Sequence, residues 1–225
     1  MISILTPSRS RPQYAQRMIN SAKETAGIPI EIKLYLNDDD PLLTQYTNNI
    51  NSSEYIIGPN QSTSYSWNLM AENAKYDIIF LVGDDCQFIT PNWGQMITDA
   101  FDQYNDKIVC VYPRAPSVSR YKSPHFCLHK NWITTLGYFL PPQFYHWYVD
   151  TWILEIAQQL RRHHLITEFE LPIEVVKDKV TNDYHSSWMR RKDDWMWERR
   201  GRHRDADIAT LKKFIENYKN NSDRN

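Results

Sequence analysis

The length and charge of the chain limit the classes of protein to which it can belong. Its 225 residues are enough for one hydrophobic core, which favours a single α/β domain. The formal net charge of −1 gives the chain as a whole no electrostatic preference for nucleic acid or acidic lipid, so any such affinity must come from a local patch. The three cysteines form no CxxC pair, which indicates reduced thiols in a cytoplasm-like compartment.

Short apolar runs alternate with helical patterns in the first half of the chain. Residues 2–5 predict a strand, and Pro12 then suits the first turn of a helix whose apolar residues fall on one face. A second helix is predicted around Trp67. Further strands are predicted at 32–36, 55–57, 78–82 and 108–112. The resulting order β-α-β-β-α-β-α-β predicts a mostly parallel sheet covered by helices.

The second half of the chain has a less regular pattern. Residues 113–147 are rich in Tyr, Phe, His and Pro and show little periodicity. A helix is predicted over 153–160, followed by a half-exposed strand over 168–175, where apolar and polar residues alternate. Asp205 is predicted to cap a final helix. Since no segment has a linker composition, residues 189–225 are interpreted as a basic and aromatic extension of the same domain.

No segment of the sequence has the character of a signal peptide or a membrane span. Met1 leads directly into the strand-like ISIL, without a charged region before it and without a long apolar stretch. We therefore expect a cytoplasmic protein, in the host cytoplasm if the chain is viral.

Three polar loops follow predicted strands and should meet at one edge of the sheet. They are residues 7–11, 37–40 and 83–85. In open α/β sheets, ligands bind beyond the carboxyl ends of the strands. Clustered carboxylates repel one another unless a cation lies among them, and oxygen ligands favour Mg²⁺ or Mn²⁺ bound together with a substrate's phosphates. The loops therefore predict a site for a metal-bridged diphosphate.

Other interpretations of these loops remain open. The GDD sequence and the acids at 38–40 are also typical of turns and helix caps. A dinucleotide-binding dehydrogenase is disfavoured, because TPSRSRP has no glycine, and the P-loop motif is absent. GDD also occurs in the palm of RNA polymerases, but 225 residues leave little room for fingers and a thumb.

Four stretches of the sequence resemble the GT-A glycosyltransferases of family 2. They are ISILTPSRSRP, LNDDDP, SWNLMAENAKYDIIFLVGDDCQFITPNW and FYHWYVDTWILEIA. The resemblance covers about residues 1–160 and is clearest at 64–93. It implies a GT-A, Rossmann-like fold, a nucleotide-diphosphate sugar donor that is usually UDP-linked, a Mn²⁺ or Mg²⁺ cofactor, and inversion at the sugar carbon. It divides the chain into a nucleotide-sugar half at 1–112, an acceptor half at 113–188 and the extension.

The resemblance also implies roles for individual residues. Gly83 stands at the first position of the family's Asp-x-Asp motif, so Asp84 and Asp85 must share the ribose and metal roles. Metal contacts are expected from Asp85, Asp84 and a late histidine, His185. Nucleotide-sugar contacts are expected from Thr6, Pro7, Ser8, Arg9, Arg11, Asp38, Asp39, Asn68 and Asp84.

An inverting transfer also needs a general base for the attacking hydroxyl. Asp150 is the candidate, because it opens the helix after FYHWYV, where similar enzymes carry their base; it is equally suited to capping that helix. Glu155 is the alternative base, although an ion pair fits its position inside the helix better. A soft-metal site made of His125, Cys127 and His129 is disfavoured because no fourth ligand is evident.

Acceptor contacts are predicted in the aromatic segment and in the C-terminal extension. The residues concerned are Tyr145, His146, Trp147, Arg199 and Arg200. Arginines that alternate with tryptophans can bind phosphates and stack on bases, so a hydroxymethylated pyrimidine in phage-type DNA is one candidate acceptor. The alternatives are a glycan acceptor, a nucleotidyltransferase, and a binding module without catalysis, in which the arginines form an ion-paired cover of the sheet.

Overall fold

The fold is built on a mixed seven-stranded sheet, in a computed structural model that describes residues 1–116, 123–174 and 187–222. The strands are β1 (Ile2–Ser8), β2 (Ile30–Asn37), β3 (Tyr55–Gly58), β4 (Ile78–Leu81), β5 (Cys110–Arg114), β6 (Phe126–His129) and β7 (His163–Glu170). The α-helices are α1 (Pro12–Thr25), α2 (Leu43–Asn49), α3 (Thr63–Glu72), α4 (Trp93–Asp102), α5 (Lys130–Leu136), α6 (Val149–Gln159), α7 (Ser187–Arg199) and α8 (Gly201–Ser222). A short 3₁₀ turn, Ser52–Glu54, precedes β3.

The strand order β3-β2-β1-β4-β6-β5-β7 is mostly parallel, which confirms the predicted fold class. β1 pairs in parallel with β2 and with β4, β2 with β3, and β5 with β7. β6 runs antiparallel to both of its neighbours, β4 and β5. Since β1, β2 and β4 run side by side in one direction, their carboxyl ends bring the three predicted loops together.

Alternating side chains of the strands are buried against helices on both faces of the sheet. In β1, Ile4 packs into the layer that contains α1 and α4, whereas Leu5 packs into the layer that contains α3, α5, α6 and α8. The first layer is filled by an aromatic cluster in which Phe88 and Trp93 have ring centroids 4.8 Å apart. Each such side chain contributes about 1.5–3 kcal/mol by leaving water. The burial holds the strand ends, and hence the loops, in fixed positions.

The structure corrects two predicted elements in the second half. The strand predicted at 168–175 lies earlier, because β7 pairs with β5 and ends at Glu170. Pro172 has no N–H to continue a ladder, and Ile173 pairs with Cys86 in an isolated β-bridge outside the named strands. Asp205 does not cap the last helix, since α8 already begins at Gly201. None of the helices within the described ranges combines the length and apolar character needed to cross a membrane.

Candidate active site

A cleft of about 230 Å³ lies at the carboxyl ends of β1, β2 and β4, beside the first turn of α3. Seven of the predicted site residues line it: Pro7, Ser8, Arg9, Arg11, Asp84, Asp85 and His146. The other lining residues are Tyr35, Asn37, Gln61, Thr63, Ser66, Trp67 and Gly83. The cleft therefore combines arginines, carboxylates and aromatic surface, as expected for a nucleotide-diphosphate site.

Asp84 is buried and bonded to the loop that follows β1. Ser8 Oγ donates to Asp84 Oδ2 at 2.6 Å, and Arg11 Nη2 lies 2.9 Å from Asp84 Oδ1. Tyr46 Oη lies 2.7 Å from Ser8 Oγ and accepts a bond from the Arg11 backbone N–H at 2.8 Å. Because the Ser8 proton goes to Asp84, Tyr46 donates to Ser8. Asp84 thus ends a hydrogen-bond chain that fixes Arg11 in the cleft.

The acids after β2 also hold the β1 loop in place. Asp39 pairs with Arg9, and this hydrogen bond lowers the pKa of Asp39. Asp40 is buried and accepts from the backbone N–H of Ser10 at 2.7 Å, where the chain has a positive φ of 57°. Asp38 is exposed, and neither it nor Asp39 lines the cleft.

Asp85 is the second carboxylate of the motif, and it is less buried than Asp84. Burial raises its pKa, while the nearby charge of Arg11 acts in the opposite direction. Its backbone carbonyl accepts from the N–H of Glu174 at 3.0 Å, and Gln87 N–H donates to the carbonyl of Pro172 at 3.2 Å. The loop after β4 is therefore held by the segment 172–174, with the Asp85 carboxylate at the cleft.

The Asp85 carboxylate lies so close to the backbone of residue 83 that only glycine fits there without moving it. A Cβ atom at this position would lie 2.5 Å from Asp85 Oδ1 and 3.4 Å from His125 Cε1. Any side chain here would therefore displace the carboxylate.

Gly83→Ala is therefore expected to move the Asp85 carboxylate and to weaken Mn²⁺-dependent binding of UDP by about 10–100-fold, the usual cost of misplacing a metal ligand. Isothermal titration calorimetry with and without Mn²⁺ measures the effect. Gly201→Ala is the matched control, because a Cβ there meets no atom within 4 Å. Equal Mn²⁺ dependence in the two variants would contradict the role given to Gly83.

Cys86 and His125 adjoin Asp85 and were not predicted as site residues. Cys86 Sγ lies 3.1 Å from His125 Nε2 and 4.0 Å from Asp85 Oδ1. Burial lowers the pKa of His125 to about 4 and raises that of Cys86. The sequence held no signal for this contact, because it depends on the antiparallel pairing of Leu81 with Phe126 in a stretch without periodicity.

The soft-metal set of His125, Cys127 and His129 is not assembled. Cys127 lies opposite Phe80 in the sheet, and His129 Nδ1 accepts from the N–H of Asn131 at the start of α5. The predicted metal ligand His185 lies outside the described residues.

The segment before α6 forms one wall of the cleft and is held by a buried carboxylate of α7. Asp193, fully buried, accepts from the backbone N–H groups of Tyr145 at 2.7 Å and of His146 and Trp147 at 2.8 Å. His146 Nδ1 lies 2.7 Å from Thr63 Oγ1. The C-terminal extension therefore positions the cleft wall, a role that sequence reasoning missed.

Asp150 lies in the first turn of α6, close in sequence to this wall. The N-cap residue of α6 is Tyr148, with a positive φ of 68° and no side-chain cap, so Asp150 does not cap the helix. Asp150 does not line the cleft. Glu155 is ion-paired with Arg204 at 2.9 Å, as its position suggested.

Two predicted contacts, Thr6 and Asn68, do not line the cleft. Thr6 is fully buried in β1. Asn68 Oδ1 accepts from the backbone N–H groups of Phe139 and Leu140 at 2.8 and 2.9 Å, so it ties α3 to that loop.

The arginines of the extension divide into packed and exposed groups. Arg204 stacks 4.9 Å from the Trp197 ring centroid, within the cover of the sheet. Arg199 lies 4.7 Å from the ring of Trp195, which is 49% exposed. Neither Arg199 nor Arg200 lines the cleft.

Comparison with known proteins gives the family and the fold. Residues 3–196 match the model described as glycosyl transferase family 2, whereas no curated protein matches the sequence. The structure is similar to PcManGT, a mannosyltransferase from Pyrobaculum calidifontis in complex with GDP-Man and Mn²⁺ (TM-score 0.62, 9% identity, 79% of this chain and 58% of that chain). It is also similar to TarS 1–349 from S. aureus in complex with UDP-GlcNAc (TM-score 0.66, 10% identity, 83% and 62%).

The chain thus spans less than two thirds of the length of these two structures. At identities near 10%, the TM-scores of 0.62 and 0.66 show a shared fold alone. The family model, by contrast, extends over most of the chain, including all three loops of the cleft and the wall held by Asp193. The chain belongs to glycosyl transferase family 2.

Proposed function

We propose that the chain transfers a sugar from a UDP-linked donor to an acceptor hydroxyl with the help of a divalent cation. The observation that carries this proposal is the cleft, which Arg9 and Arg11 line together with Asp85. Arginine suits a diphosphate, and a carboxylate suits the cation that neutralises it. Complexes of similar folds with UDP-GlcNAc, and with GDP-Man and Mn²⁺, support the donor class and the cation.

The residues at the end of β4 fit a divalent cation. Asp85 directs its carboxylate into space that Gly83 leaves open, whereas both oxygens of Asp84 are bonded to Ser8 and Arg11. Asp85 would therefore hold the cation, and Asp84 would position Arg11 for the diphosphate. When bound, the cation stabilises the charge of the departing diphosphate. Tyr35 and Trp67 add aromatic surface at the cleft, suited to a nucleoside base.

The donor class is tested by titrating UDP-, GDP- and TDP-sugars with and without Mn²⁺. Tighter binding of UDP-sugars, and only when Mn²⁺ is present, is the expected result. Product analysis then separates the alternatives, because glycosyl transfer from these donors releases a nucleoside diphosphate, whereas nucleotidyl transfer from them releases a sugar phosphate. Binding without turnover toward any acceptor would indicate a binding module.

Asp150 is the proposed general base. Asp150→Asn is expected to lower kcat by about 10²–10⁴-fold, because the amide cannot accept a proton. Thermal stability should change by no more than about 1 kcal/mol, the value of a charge in the first helical turn. Steady-state kinetics and thermal unfolding monitored by circular dichroism measure the two quantities.

Glu155→Gln is the matched control for Asp150, because Glu155 lies on the same helix and pairs with Arg204. Its kcat should stay within a few-fold of wild type. A large loss in Glu155→Gln together with near-normal turnover in Asp150→Asn would transfer the role of base to Glu155.

For the acceptor, we propose a hydroxyl of nucleic acid, such as that of a hydroxymethylated pyrimidine in duplex DNA. The supporting observation is the outer face of α7, where Trp188 and Trp195 are about half exposed and Arg199 stacks on Trp195. Exposed aromatic rings beside arginines can stack on bases and bind phosphates. A glycan acceptor is the alternative, and it would not need this basic surface.

Duplex DNA binding should weaken steeply with salt, and the double variant Arg199→Ala/Arg200→Ala should reduce the slope of log K against log [salt] by about 2. Fluorescence anisotropy across a salt series measures this slope. Lys212→Ala/Lys213→Ala removes the same charge from an exposed part of α8 and should leave the slope nearly unchanged. Salt-insensitive or absent DNA binding, together with transfer to an oligosaccharide, would contradict the nucleic-acid acceptor and favour a glycan acceptor.

A further inference from the structure

Three potential metal ligands meet beside the cleft: Asp85 lines it, whereas Cys86 and His125 are buried and have no part in the function proposed above. The ligand atoms of Asp85, Cys86 and His125 all lie within 4.8 Å of one another. In the ranges that the structure describes, no other group of three or more His, Cys, Asp or Glu side chains has its ligand atoms this close. Asp85 and Cys86 follow β4, and His125 directly precedes β6, so both backbones that carry the ligands are fixed by the sheet.

The distances suit a tetrahedral cation. Bonds of about 2.0–2.3 Å to nitrogen, oxygen and sulfur put neighbouring ligand atoms about 3.3–3.8 Å apart. The observed separations are 3.1 Å from Cys86 Sγ to His125 Nε2 and 4.0 Å from Cys86 Sγ to Asp85 Oδ1. The Asp85 and His125 ligand atoms lie within 4.8 Å of each other, so side-chain shifts of up to about one ångström would complete three corners of the tetrahedron.

The fourth corner would face the donor cleft. Gly83 and Asp85 both line the cleft, and the Asp85 carboxylate occupies the space that a side chain at Gly83 would fill, so the cation would border the cleft on the side of Asp85. Three protein ligands with one open position are typical of catalytic zinc sites. A carboxylate and a thiolate would also balance the charge of a divalent cation, which reduces the cost of placing it in a buried site.

We propose that Asp85, Cys86 and His125 form a three-ligand site for a borderline cation, Zn²⁺ or Co²⁺, with its open position toward the donor's diphosphate. On binding, the Cys86 thiol loses its proton to solvent and its sulfur bonds to the cation, while neutral His125 binds through Nε2. The site then prefers Zn²⁺ or Co²⁺ to Mg²⁺, which favours oxygen ligands. This inference refines the proposed function, and it rests on that function for the identity of the cleft.

The test is a Co²⁺ titration of the full-length, metal-stripped protein without any donor. One equivalent of Co²⁺ should produce visible absorption bands and a near-ultraviolet thiolate-to-cobalt charge-transfer band, and Zn²⁺ should abolish both. Cys86→Ser should lose the charge-transfer band. Cys110→Ser is the matched control, since it removes another buried cysteine, and it should keep the band.

X-ray absorption of the Zn²⁺-loaded wild type makes the test independent of how well the variants fold. One sulfur neighbour in the zinc shell is expected. A shell without sulfur, or a cobalt spectrum with no thiolate band, would overturn the inference and leave Cys86 and His125 as a buried thiol–imidazole hydrogen bond only. Sugar transfer with Mn²⁺ or Mg²⁺ in the absence of that band would contradict this inference alone. The band without transfer by any cation would contradict the proposed function instead.

Discussion

Asp85→Asn is expected to reduce sugar transfer by at least about 100-fold. Removing a residue that merely orients a metal ligand typically lowers activity by about 10–100-fold, and removing the ligand itself should lower activity at least as much. The fold should tolerate this change. Burial raises the pKa of Asp85, which means that the folded chain already disfavours the charged carboxylate that asparagine replaces. Chromatography of the nucleotide product at saturating Mn²⁺ measures the activity, and thermal unfolding measures the stability.

The matched control is Asp77→Asn, at the opposite end of the same strand. Asp77 directly precedes β4, pairs with Lys130 at 3.6 Å and is far more exposed than Asp85. Its substitution should leave transfer within about two-fold of wild type, because an exposed ion pair contributes little. Full activity of Asp85→Asn in excess chelator would contradict the assignment of the cation to Asp85.

The separate roles of Asp84 and Asp85 could be predicted only in part from the sequence. The sequence led to the expectation that Asp84 and Asp85 share the ribose and metal roles. In the structure, Asp84 is bonded to Ser8 and Arg11, and Asp85 is the acid whose approach requires Gly83. The distinction arises from the register of β1 against β4, in which Leu5 pairs with Leu81 and the two loops continue side by side. Periodicity cannot reveal that register.

The parallel half of the sheet was predicted because its strands are either continuous apolar runs or, as in β2, regularly alternating apolar and polar residues. Ile78–Leu81 is buried along its whole length, so its character is visible in four consecutive residues. β6 has an equally buried core, but it lies in a stretch where aromatic residues, histidines and prolines hide the alternation. His125 was missed as a neighbour of Asp85 for the same reason.

The role of α7 could not be predicted, since its sequence is dominated by charge. Arg190, Arg191, Lys192 and Asp194 predict a solvated helix, and nothing local distinguishes Asp193 from them. Its three backbone partners lie more than forty residues earlier in the chain. A buried carboxylate that satisfies a run of backbone N–H groups is a tertiary feature. Only the packing of α7 against the segment 145–148 reveals it.

Asp193→Ala is expected to destabilise the protein by about 3 kcal/mol, because it leaves three partly buried N–H donors without their charged acceptor. For a chain of this size, the melting temperature should fall by about 6–12 °C. Donor affinity should fall as well, since the same bonds hold His146 at the cleft wall.

Asp194→Ala is the control for this prediction. Asp194 is partly exposed and accepts from the Tyr148 hydroxyl and Arg190, so its loss should lower the stability by about 1 kcal/mol. Equal melting temperatures for the two variants would show that the bonds to Asp193 do not stabilise the wall. A normal donor affinity in Asp193→Ala, measured below its melting temperature, would show that α7 does not contribute to donor binding.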